Sequence, residues 1–291
     1  MTPAGWRLWV AGARPRTLGA ALAPVLVGTS AATADGPTVW WRAGAALVVA
    51  MALQVGVNYA NDYSDGVRGT DHGRVGPLRL TASGLVAPAS VKRAAILSML
   101  VAGLAGLALA VAVDLRILLV GAAGVAAAWL YTGGPRPYGY LGLGEVMVLV
   151  FFGFVATAGS AYVQVEGVPA TAWWGSLAVG LLACAILLAN NIRDVETDAR
   201  SGKRTLAVRV GAARARLLFA GCVAGAFLAV VAVGLIEPWG FLALLALPLA
   251  VPPTLLVLRR TDPPSLVAAL VATARLEVVV GALLAVGLWR R

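Results

Sequence analysis

The amino-acid sequence predicts an all-helical membrane protein that crosses the bilayer many times. Of its 291 residues, 60% are hydrophobic and only 12% are charged, and the mean hydropathy is +0.87. Lipid offers the backbone no hydrogen-bond partners, so apolar runs of about 20 residues are expected to cross it as helices. We therefore expect a helical bundle that forms a single domain over residues 1–291.

Nine apolar runs are long enough to be such helices. They cover residues 17–34, 39–59, 91–112, 116–132, 143–163, 171–191, 214–235, 239–258 and 265–289. The first run lacks a clear small-residue cleavage site, so we expect it to be retained as a helix and not removed as a signal peptide. Arg275 and Glu277 lie inside the last run.

The basic residues predict the orientation of the bundle. Of the 23 Lys and Arg, 18 lie in the N-terminal segment or in the connections after the second, fourth, sixth and eighth runs. The opposite side has only Arg42, Arg116, Arg290 and Arg291. Positively charged connections stay in the cytoplasm, so the larger group is expected to face it, in a multi-pass protein of the cell membrane. Because the net charge of +10 is spread between membrane runs, it argues against a nucleic-acid partner.

Two of the cytoplasmic connections are rich in functional groups. The first region, residues 58–79, reads NYANDYSDGVRGTDHGRVGPLR, and the second region, residues 190–205, reads NNIRDVETDARSGKRT. In each, an asparagine is followed four positions later by an aspartate and three or four positions after that by another. These residues are Asn58, Asp62 and Asp65 in the first region and Asn190, Asp194 and Asp198 in the second. The shared spacing of the two regions predicts two four-helix pseudo-repeats with both regions on one side of the membrane.

The acidic residues of the two regions predict a metal site. Spacings of three and four place each trio on one face of a helix, where neighbouring carboxylates repel and a cation offsets the repulsion. Oxygen ligands with almost no His or Cys favour Mg²⁺ or Ca²⁺ over zinc, and Mg²⁺ completes its shell with water and phosphate oxygens. Basic side chains nearby are suited to a diphosphate. They are Arg68, Arg79, Arg193, Lys203 and Arg204.

The third region, residues 131–146, reads YTGGPRPYGYLGLGEV. Tyr131, Tyr138 and Tyr140 offer aromatic faces and hydroxyl groups, and Arg136 adds a positive charge. An aromatic face beside an allylic diphosphate stabilises a developing carbocation. Tyrosines at a membrane interface also serve as anchors, so both interpretations stay open.

These residues resemble the UbiA superfamily of intramembrane aromatic prenyltransferases. NDYSDGVRGTD is similar to the first aspartate-rich motif of that superfamily, and NNIRDVETDARSGKRTLAVRVG is similar to the second. The stretches RPRTLGAALAPVLVG, GPLRLTASGLVAP and YTGGPRPYGYLGLGEVMVLVFFG, which begin at residues 14, 76 and 131, resemble the menaquinone branch more narrowly. Members of that branch prenylate 1,4-dihydroxy-2-naphthoate.

The resemblance implies a nine-helix bundle whose central cavity opens to the cytoplasm and to lipid. It implies Mg²⁺ bound by Asp62, Asp65, Asp71, Asp194 and Asp198. The implied catalytic residues are Asp62, Asp65, Asp194, Asp198 and Tyr131. The implied substrate-binding residues are Asn58, Asn61, Arg68, Asn190, Asn191, Arg136, Tyr138, Lys203 and Arg204. Asp71 departs from the general pattern, because Gly69 stands where many relatives carry the third acid.

The expected reaction is Mg²⁺-dependent transfer of a polyprenyl chain from its diphosphate to 1,4-dihydroxy-2-naphthoate, with loss of CO₂ and diphosphate, to give demethylmenaquinone. One alternative is the same chemistry on another acceptor, such as 4-hydroxybenzoate, homogentisate or a glycerol phosphate lipid. A cation-coupled transporter is the alternative from another class, since repeats and membrane acids are typical of transporters too. Acids that cluster at one membrane face instead of the midplane argue against transport. The sequence indicates neither the prenyl chain length nor the oligomeric state.

Overall fold

The computed structural model describes residues 5–70 and 78–289, and within them the chain forms helices joined by turns and loops, with no strand. The N-terminal helices are α1 (Trp6–Ala13), α2 (Gly19–Ala32), α3 (Trp40–Val67), α4 (Pro88–Ala112) and α5 (Ile117–Leu130). The C-terminal helices are α6 (Gly144–Val148), α7 (Ala156–Val165), α8 (Ala170–Arg193), α9 (Val195–Arg200), α10 (Leu206–Val210), α11 (Ala212–Ile236), α12 (Leu247–Arg259) and α13 (Pro263–Leu288). A π-helical segment, Leu149–Val155, joins α6 to α7, and a 3₁₀ segment, Pro238–Ala246, leads into α12.

Seven continuous helical stretches in the described part of the chain are long and apolar enough to cross a membrane. They are Trp40–Val67, Pro88–Ala112, Gly144–Val165, Ala170–Arg193, Ala212–Ile236, Pro238–Arg259 and Pro263–Leu288. The helices α2 and α5 lie at two further predicted runs, but each has 14 residues. A helix of that length measures about 21 Å, less than the ~30 Å of hydrocarbon. The multi-pass helical architecture is confirmed, whereas the number nine and the two pseudo-repeats stay predictions.

The largest difference from the predicted boundaries is at the end of α3. The second apolar run was expected to end at residue 59, but α3 continues as one helix to Val67. Residues 58–65 contain neither Gly nor Pro, so nothing in them interrupts the backbone hydrogen bonds after the apolar part of the helix ends. The polar residues of the first region up to Asp65 are therefore helical.

The core is built around α8, which packs against α11, α13 and the π-helical segment. Of its most apolar 18-residue window, 72% is buried, more than in any other spanning stretch of the described chain. A Cβ atom added at Gly180 would lie 2.7 Å from the Cα atom of Gly153, so only a pair of glycines allows this close approach. Small residues at such contacts let membrane helices pack tightly, because lipid provides no hydrophobic force between them.

Tryptophans mark one boundary of the membrane-spanning part. Six of the nine lie at the helix ends remote from the two acidic regions: Trp40, Trp41, Trp173, Trp174, Trp239 and Trp289. All six are exposed. Indole rings prefer the level of the lipid headgroups. The position of these six tryptophans supports a bundle that spans the bilayer with the acidic regions at its opposite end.

Candidate active site

A cavity of about 1170 Å³ lies between α3, α4 and α5 on one side and the segment from α6 to α8 on the other. Its wall is polar where α3 and α8 end and mostly apolar along the rest of its length. The first, second and third regions all contribute side chains to the polar end. The three regions predicted from the sequence thus meet at one end of an apolar cavity.

In the first region, α3 presents Asn58, Asn61 and Asp65 to the cavity. Positions separated by three, four and seven residues share one face of a helix, which explains why these three side chains point the same way. Asn58 Nδ2 donates to the carbonyl oxygen of Ala13 at 2.9 Å. Thr132 Oγ1 donates to Asn61 Oδ1 at 2.8 Å. These bonds tie the end of α3 to the N-terminal segment and to the connection between α5 and α6.

Asp62 lies on the same helix but outside the cavity wall. Its two carboxylate oxygens accept the backbone N–H groups of Leu80 and Thr81, each at 2.8 Å. A separation of three residues turns the Asp62 side chain about 60° from that of Asp65. Asp65 lines the cavity and Asp62 does not, so the two carboxylates have different surroundings although they are neighbours on the helix surface. Each Asp62 oxygen accepts one backbone bond and keeps acceptor capacity for a second partner.

In the second region the helix breaks. α8 ends at Arg193, Asp194 leaves the helical conformation with φ −98° and ψ 5°, and α9 begins at Val195. The Arg193 guanidinium donates two hydrogen bonds to the Asp194 carboxylate, from Nε to Oδ1 at 2.8 Å and from Nη2 to Oδ2 at 2.5 Å. Both side chains are 3% exposed. Here too the first aspartate of the trio is held by protein groups, while Asn190 and Asp198 line the cavity.

An ion pair joins the two regions. Lys203 Nζ lies 2.8 Å from Asp65 Oδ2, and both side chains are almost fully buried. The Tyr140 hydroxyl donates to Asp65 Oδ1 at 2.7 Å, and the Tyr140 ring lies 5.0 Å from Lys203 Nζ. A buried carboxylate needs such partners, because an unpaired charge is costly away from water. Burial, and then the charge of Asp65, raise the pKa of Tyr140, so its hydroxyl stays protonated as a donor at neutral pH.

In the third region, Tyr131 and Tyr138 line the cavity with their ring centroids 5.5 Å apart. A Cβ atom at Gly139 would lie 2.7 Å from the carbonyl oxygen of Tyr131 and 2.8 Å from its ring. Only glycine fits there, which is why this glycine-rich stretch can fold tightly around Tyr131. The Tyr138 hydroxyl donates to the carbonyl oxygen of Ala127 at 2.9 Å, and burial raises the pKa of Tyr138. Both rings therefore offer neutral aromatic faces to the cavity.

Asn191 also lines the cavity, and its Nδ2 donates to Glu145 Oε1 at 2.9 Å. Glu145 is the acidic residue of the third region, and it is buried. This bond fixes the Asn191 amide and joins the end of α8 to the start of α6. Hydrogen bonds and an ion pair between the three regions therefore hold the polar end together.

Three predicted substrate-binding residues lie outside the cavity wall as the structure describes it: Arg68, Arg136 and Arg204. Arg136 and Arg204 are exposed. The Arg68 guanidinium donates to the carbonyl oxygens of Thr132 and Gly134, so it holds the α5–α6 connection against α3. Asp71, predicted as a metal ligand, lies outside the described residues.

Sequence reasoning missed several residues of the polar end. Thr132, Thr17 and Arg14 contribute to it and were not among the predicted site residues, and Tyr140 was predicted only as an aromatic side chain of the third region. Tyr140 and Thr132 stand beside predicted residues in the third region, but nothing in their spacing indicated contacts to Asp65 and Asn61. Arg14 was interpreted only as an orientation signal. Arg79, predicted as a basic neighbour of the acids, also lines the cavity.

The donor set at the polar end fits Mg²⁺. The carboxylates of Asp65 and Asp198 and the amide oxygens of neighbouring asparagines are hard oxygen ligands, the type that Mg²⁺ prefers. Within residues 5–70 and 78–289, no three Asp, Glu, His or Cys side chains form a closed metal cage. Mg²⁺ is usually held by one or two carboxylates and completed by waters and substrate phosphates.

The chain is similar in sequence to known prenyltransferases. The sequence profile of the UbiA prenyltransferase family matches residues 21–286. The chain is 52% identical over 247 residues, 85% of each chain, to the 1,4-dihydroxy-2-naphthoate octaprenyltransferase of Mycobacterium tuberculosis H37Rv. It is 40% identical over 272 residues to the Escherichia coli K12 protein of the same name, covering 88% of this chain and 86% of that one. A UbiA homologue from Archaeoglobus fulgidus, solved with GPP and Mg²⁺, superposes with a TM-score of 0.66 at 15% identity, over 96% of this chain and 99% of that one.

Proposed function

The chain belongs to the UbiA prenyltransferase family, and from that premise we propose that it prenylates 1,4-dihydroxy-2-naphthoate. A polyprenyl diphosphate is the donor, and diphosphate and CO₂ leave. The product is a demethylmenaquinol, because the ring keeps both hydroxyl groups, and a separate oxidation turns it into demethylmenaquinone. The observation that carries this proposal is the high identity, over most of the chain, to relatives named for this acceptor.

The cavity supports the proposal because its two parts match the two parts of the donor. Arg14, Arg79 and Lys203 bring positive charge to the polar end, where the diphosphate binds. Guanidinium and ammonium groups are suited to phosphate oxygens. The remaining wall is apolar and takes the polyprenyl chain. Binding in this orientation places the reactive carbon of the donor at the border between the two parts, next to Tyr131 and Tyr138.

Mg²⁺ is the proposed cofactor. Asp65 and Asp198 are the carboxylates on the cavity wall that would hold it, and Asp62, Asp71 and Asp194 stay predicted as further ligands. When bound, Mg²⁺ neutralises the diphosphate and so favours its departure. In this structure Lys203 neutralises Asp65. A cation held by Asp65 would take over this neutralisation, and the Lys203 ammonium would then be available to the diphosphate.

The chain's own residues then direct the transfer. The C–O bond of the donor breaks, and its electron pair leaves with the diphosphate. The faces of Tyr131 and Tyr138 stabilise the positive charge that develops on the allylic carbon. The naphthoate carbon that carries the carboxyl group attacks this carbon, and the carboxyl group leaves as CO₂. Positioning of the two substrates in a cavity shielded from water accounts for the rate, and no protein nucleophile takes part.

The charge distribution supports a site on the cytoplasmic side of the cell membrane. The polar end lies where the basic connections are concentrated, and such connections stay in the cytoplasm. We infer that the diphosphate and the naphthoate enter from the cytoplasm and that the polyprenyl chain enters from the lipid.

Purified protein in detergent provides the test. It is supplied with Mg²⁺, octaprenyl diphosphate and 1,4-dihydroxy-2-naphthoate, and both pyrophosphate and the mass of the lipid product are measured. An EDTA-sensitive product that lacks the carboxyl mass is the expected result. A product formed only with 4-hydroxybenzoate or another acceptor would overturn the proposed acceptor. Cation flux in proteoliposomes without pyrophosphate release would favour the transporter.

A further inference from the structure

The end of the cavity opposite the polar end also carries charged groups. Asp114 and Arg116, in the turn between α4 and α5, and Tyr162, on α7, all line it. Tyr162 Oη donates to Asp114 Oδ2 at 2.6 Å, Arg116 Nε donates to the same oxygen at 2.7 Å, and Arg116 Nη2 lies 3.3 Å from Tyr162 Oη. These three residues are called the far clasp. It bridges the α5 side and the α7 side of the cavity.

The far clasp lies almost a membrane thickness from the active site. Along α3 the cavity wall extends from Asp65 to Ala46, a separation of 19 positions. At a helical rise of 1.5 Å per residue this is about 28 Å, close to the thickness of the hydrocarbon. The reaction proposed above uses the polar end, so it gives no role to charged groups at the other.

A second set of bonds holds the elements around the far clasp in place. Arg42, at the start of α3, donates to the carbonyl oxygens of Val163 on α7 at 3.1 Å and Ala112 on α4 at 3.4 Å. The backbone N–H of Val39 donates to Gln164 Oε1 at 2.8 Å. The clasp is therefore part of a rigid junction of α3, α4 and α7. The hydrogen bond from Tyr162 is the main cause that lowers the pKa of Asp114.

The cavity next to the far clasp has room for an apolar chain. Gly159, one helical turn before Tyr162, lines the cavity, and a Cβ atom added there would meet no atom within 4 Å. Phe154 and Trp173, whose rings lie 6.0 Å apart, supply apolar wall in this part. An open, apolar space that ends at an ionic group suits the tail of a long hydrocarbon and limits how far that tail can reach.

We propose that the far clasp is the end wall of a subsite for the polyprenyl tail and sets the longest donor that the cavity encloses. This inference rests on the proposed prenyl transfer. Arg116 is exposed at the outer rim of this end, and the terminal isoprene units cannot pass the clasp without breaking its ion pair and the hydrogen bond from Tyr162 to Asp114. Donors that are too long must instead leave part of the tail in the lipid.

Two variants with opposite effects test this. Tyr162→Phe keeps the ring and removes the hydroxyl that bridges the clasp. We expect the ratio of kcat/KM for octaprenyl diphosphate to that for geranyl diphosphate to rise about threefold to tenfold, the worth of one hydrogen bond. Gly159→Leu fills the space beside the clasp and is expected to lower the same ratio about tenfold. Rates with geranyl diphosphate should stay within about twofold of wild type, because its tail is too short to reach the clasp.

Each variant has a matched control away from the cavity. Tyr59→Phe removes a tyrosine hydroxyl bond of 2.7 Å, to the carbonyl oxygen of Trp9. Gly221→Leu places the same side chain on α11, where a Cβ atom also meets no atom within 4 Å. Neither residue lines the described cavity, and both controls should keep the wild-type ratio. Leucine favours a helix more than glycine does, so Gly159→Leu does not weaken α7 itself.

Binding of unreactive thiodiphosphate analogues of the two donors separates this inference from the proposed reaction. The shift in melting temperature that each analogue causes needs no turnover. If Tyr162→Phe and Gly159→Leu both keep the wild-type preference in turnover and in binding, the far clasp does not limit the tail. If the variants change the length preference in binding while wild type makes no prenylated naphthoate, the tail subsite stands and the proposed acceptor reaction fails.

Discussion

The ends of α3 and α8 carry nearly the same sequence pattern and fold differently. α3 continues as one helix through Asp62 and Asp65, whereas α8 ends at Arg193 and the chain restarts as α9. Asp62 accepts two peptide N–H groups from a distant segment, and Asp194 accepts the guanidinium of its own neighbour. The same spacing of Asn and Asp thus gives two different local structures.

What the two ends share is the position of the second aspartate. Asp65 and Asp198 both line the cavity, and the first aspartates do not. The regions are also linked, because Lys203 of the second region neutralises Asp65 of the first. The difference teaches that the first aspartates bind protein groups that hold the two ends, whereas the second aspartates line the cavity. The variants below test this division.

Asp65→Ala is expected to have the largest effect. It leaves the buried ammonium of Lys203 without its partner, and breaking one side of a buried ion pair costs about 3–5 kcal/mol. It also removes a proposed metal ligand, so we expect product formation to fall more than about a hundredfold. Turnover and melting temperature in detergent are the measurements.

The double variant Asp65→Ala/Lys203→Met is the matched control for the charge. It removes both members of the pair, so it should regain much of the lost stability and none of the activity. Recovery of activity in the double variant would show that Asp65 serves only to neutralise Lys203.

Asp194→Asn and Asp62→Asn compare the first aspartates of the two regions. An amide cannot neutralise the buried Arg193, so Asp194→Asn should cost about 3 kcal/mol of stability. Asp62→Asn keeps one oxygen acceptor for the N–H groups of Leu80 and Thr81 and should cost only about 1 kcal/mol.

Both substitutions should still abolish turnover, because both residues stay predicted as metal ligands, and both proteins should insert in the membrane. Thermal unfolding gives the ranking of stability, and product mass gives the activity. Wild-type turnover in both variants would exclude Asp62 and Asp194 from metal binding.

Tyr140→Phe tests the residue that joins the third region to the first. The loss of its hydroxyl bond to Asp65 should reduce turnover about tenfold, whereas Tyr138→Phe, which loses a bond to a carbonyl oxygen, should stay within about threefold.

The pKa of Tyr140 is raised in the folded state, so its contribution to stability is fully present below about pH 10, the ordinary value for tyrosine. The stability difference between wild type and Tyr140→Phe should be constant around neutral pH and shrink above about pH 10. A difference that already shrinks near neutral pH contradicts this role.

Arg204→Gln is expected to have the smallest effect. Lys203 and Arg204 are adjacent, but Lys203 is buried at the cavity wall and Arg204 is exposed. An exposed charge outside the wall contributes little, so Arg204→Gln should change KM for the donor less than about threefold. Lys203→Gln should reduce turnover more than about a hundredfold, since it also leaves Asp65 buried without a countercharge. Equal losses in the two variants would show that Arg204 binds the diphosphate after all.

The sequence was most informative about the helices and the candidate regions. α4, α8 and α13 begin and end within about three residues of the predicted runs, because the length of an apolar run and the need to satisfy the backbone in lipid fix a helix locally. The three polar regions were identified from residue type and spacing, and the structure gathers them. The sequence did not predict that Asp62 lies outside the cavity wall, that the helix breaks at Asp194, or that Tyr140 contacts Asp65.

The sequence by itself determined that this chain is a helical membrane protein with two acidic clusters at one end, because hydrophobicity and charge act over a few helical turns. Only the tertiary structure decided which aspartate faces the cavity, that Lys203 pairs with Asp65 across 138 positions of the chain, and that the far clasp stands opposite the active site. A helix turns each successive side chain by about 100°. A small rotation of one helix against another therefore decides whether a side chain contacts a buried partner or lines the cavity. That rotation is set by the packing of α3, α7 and α8 against their neighbours and cannot be read from residue spacing alone.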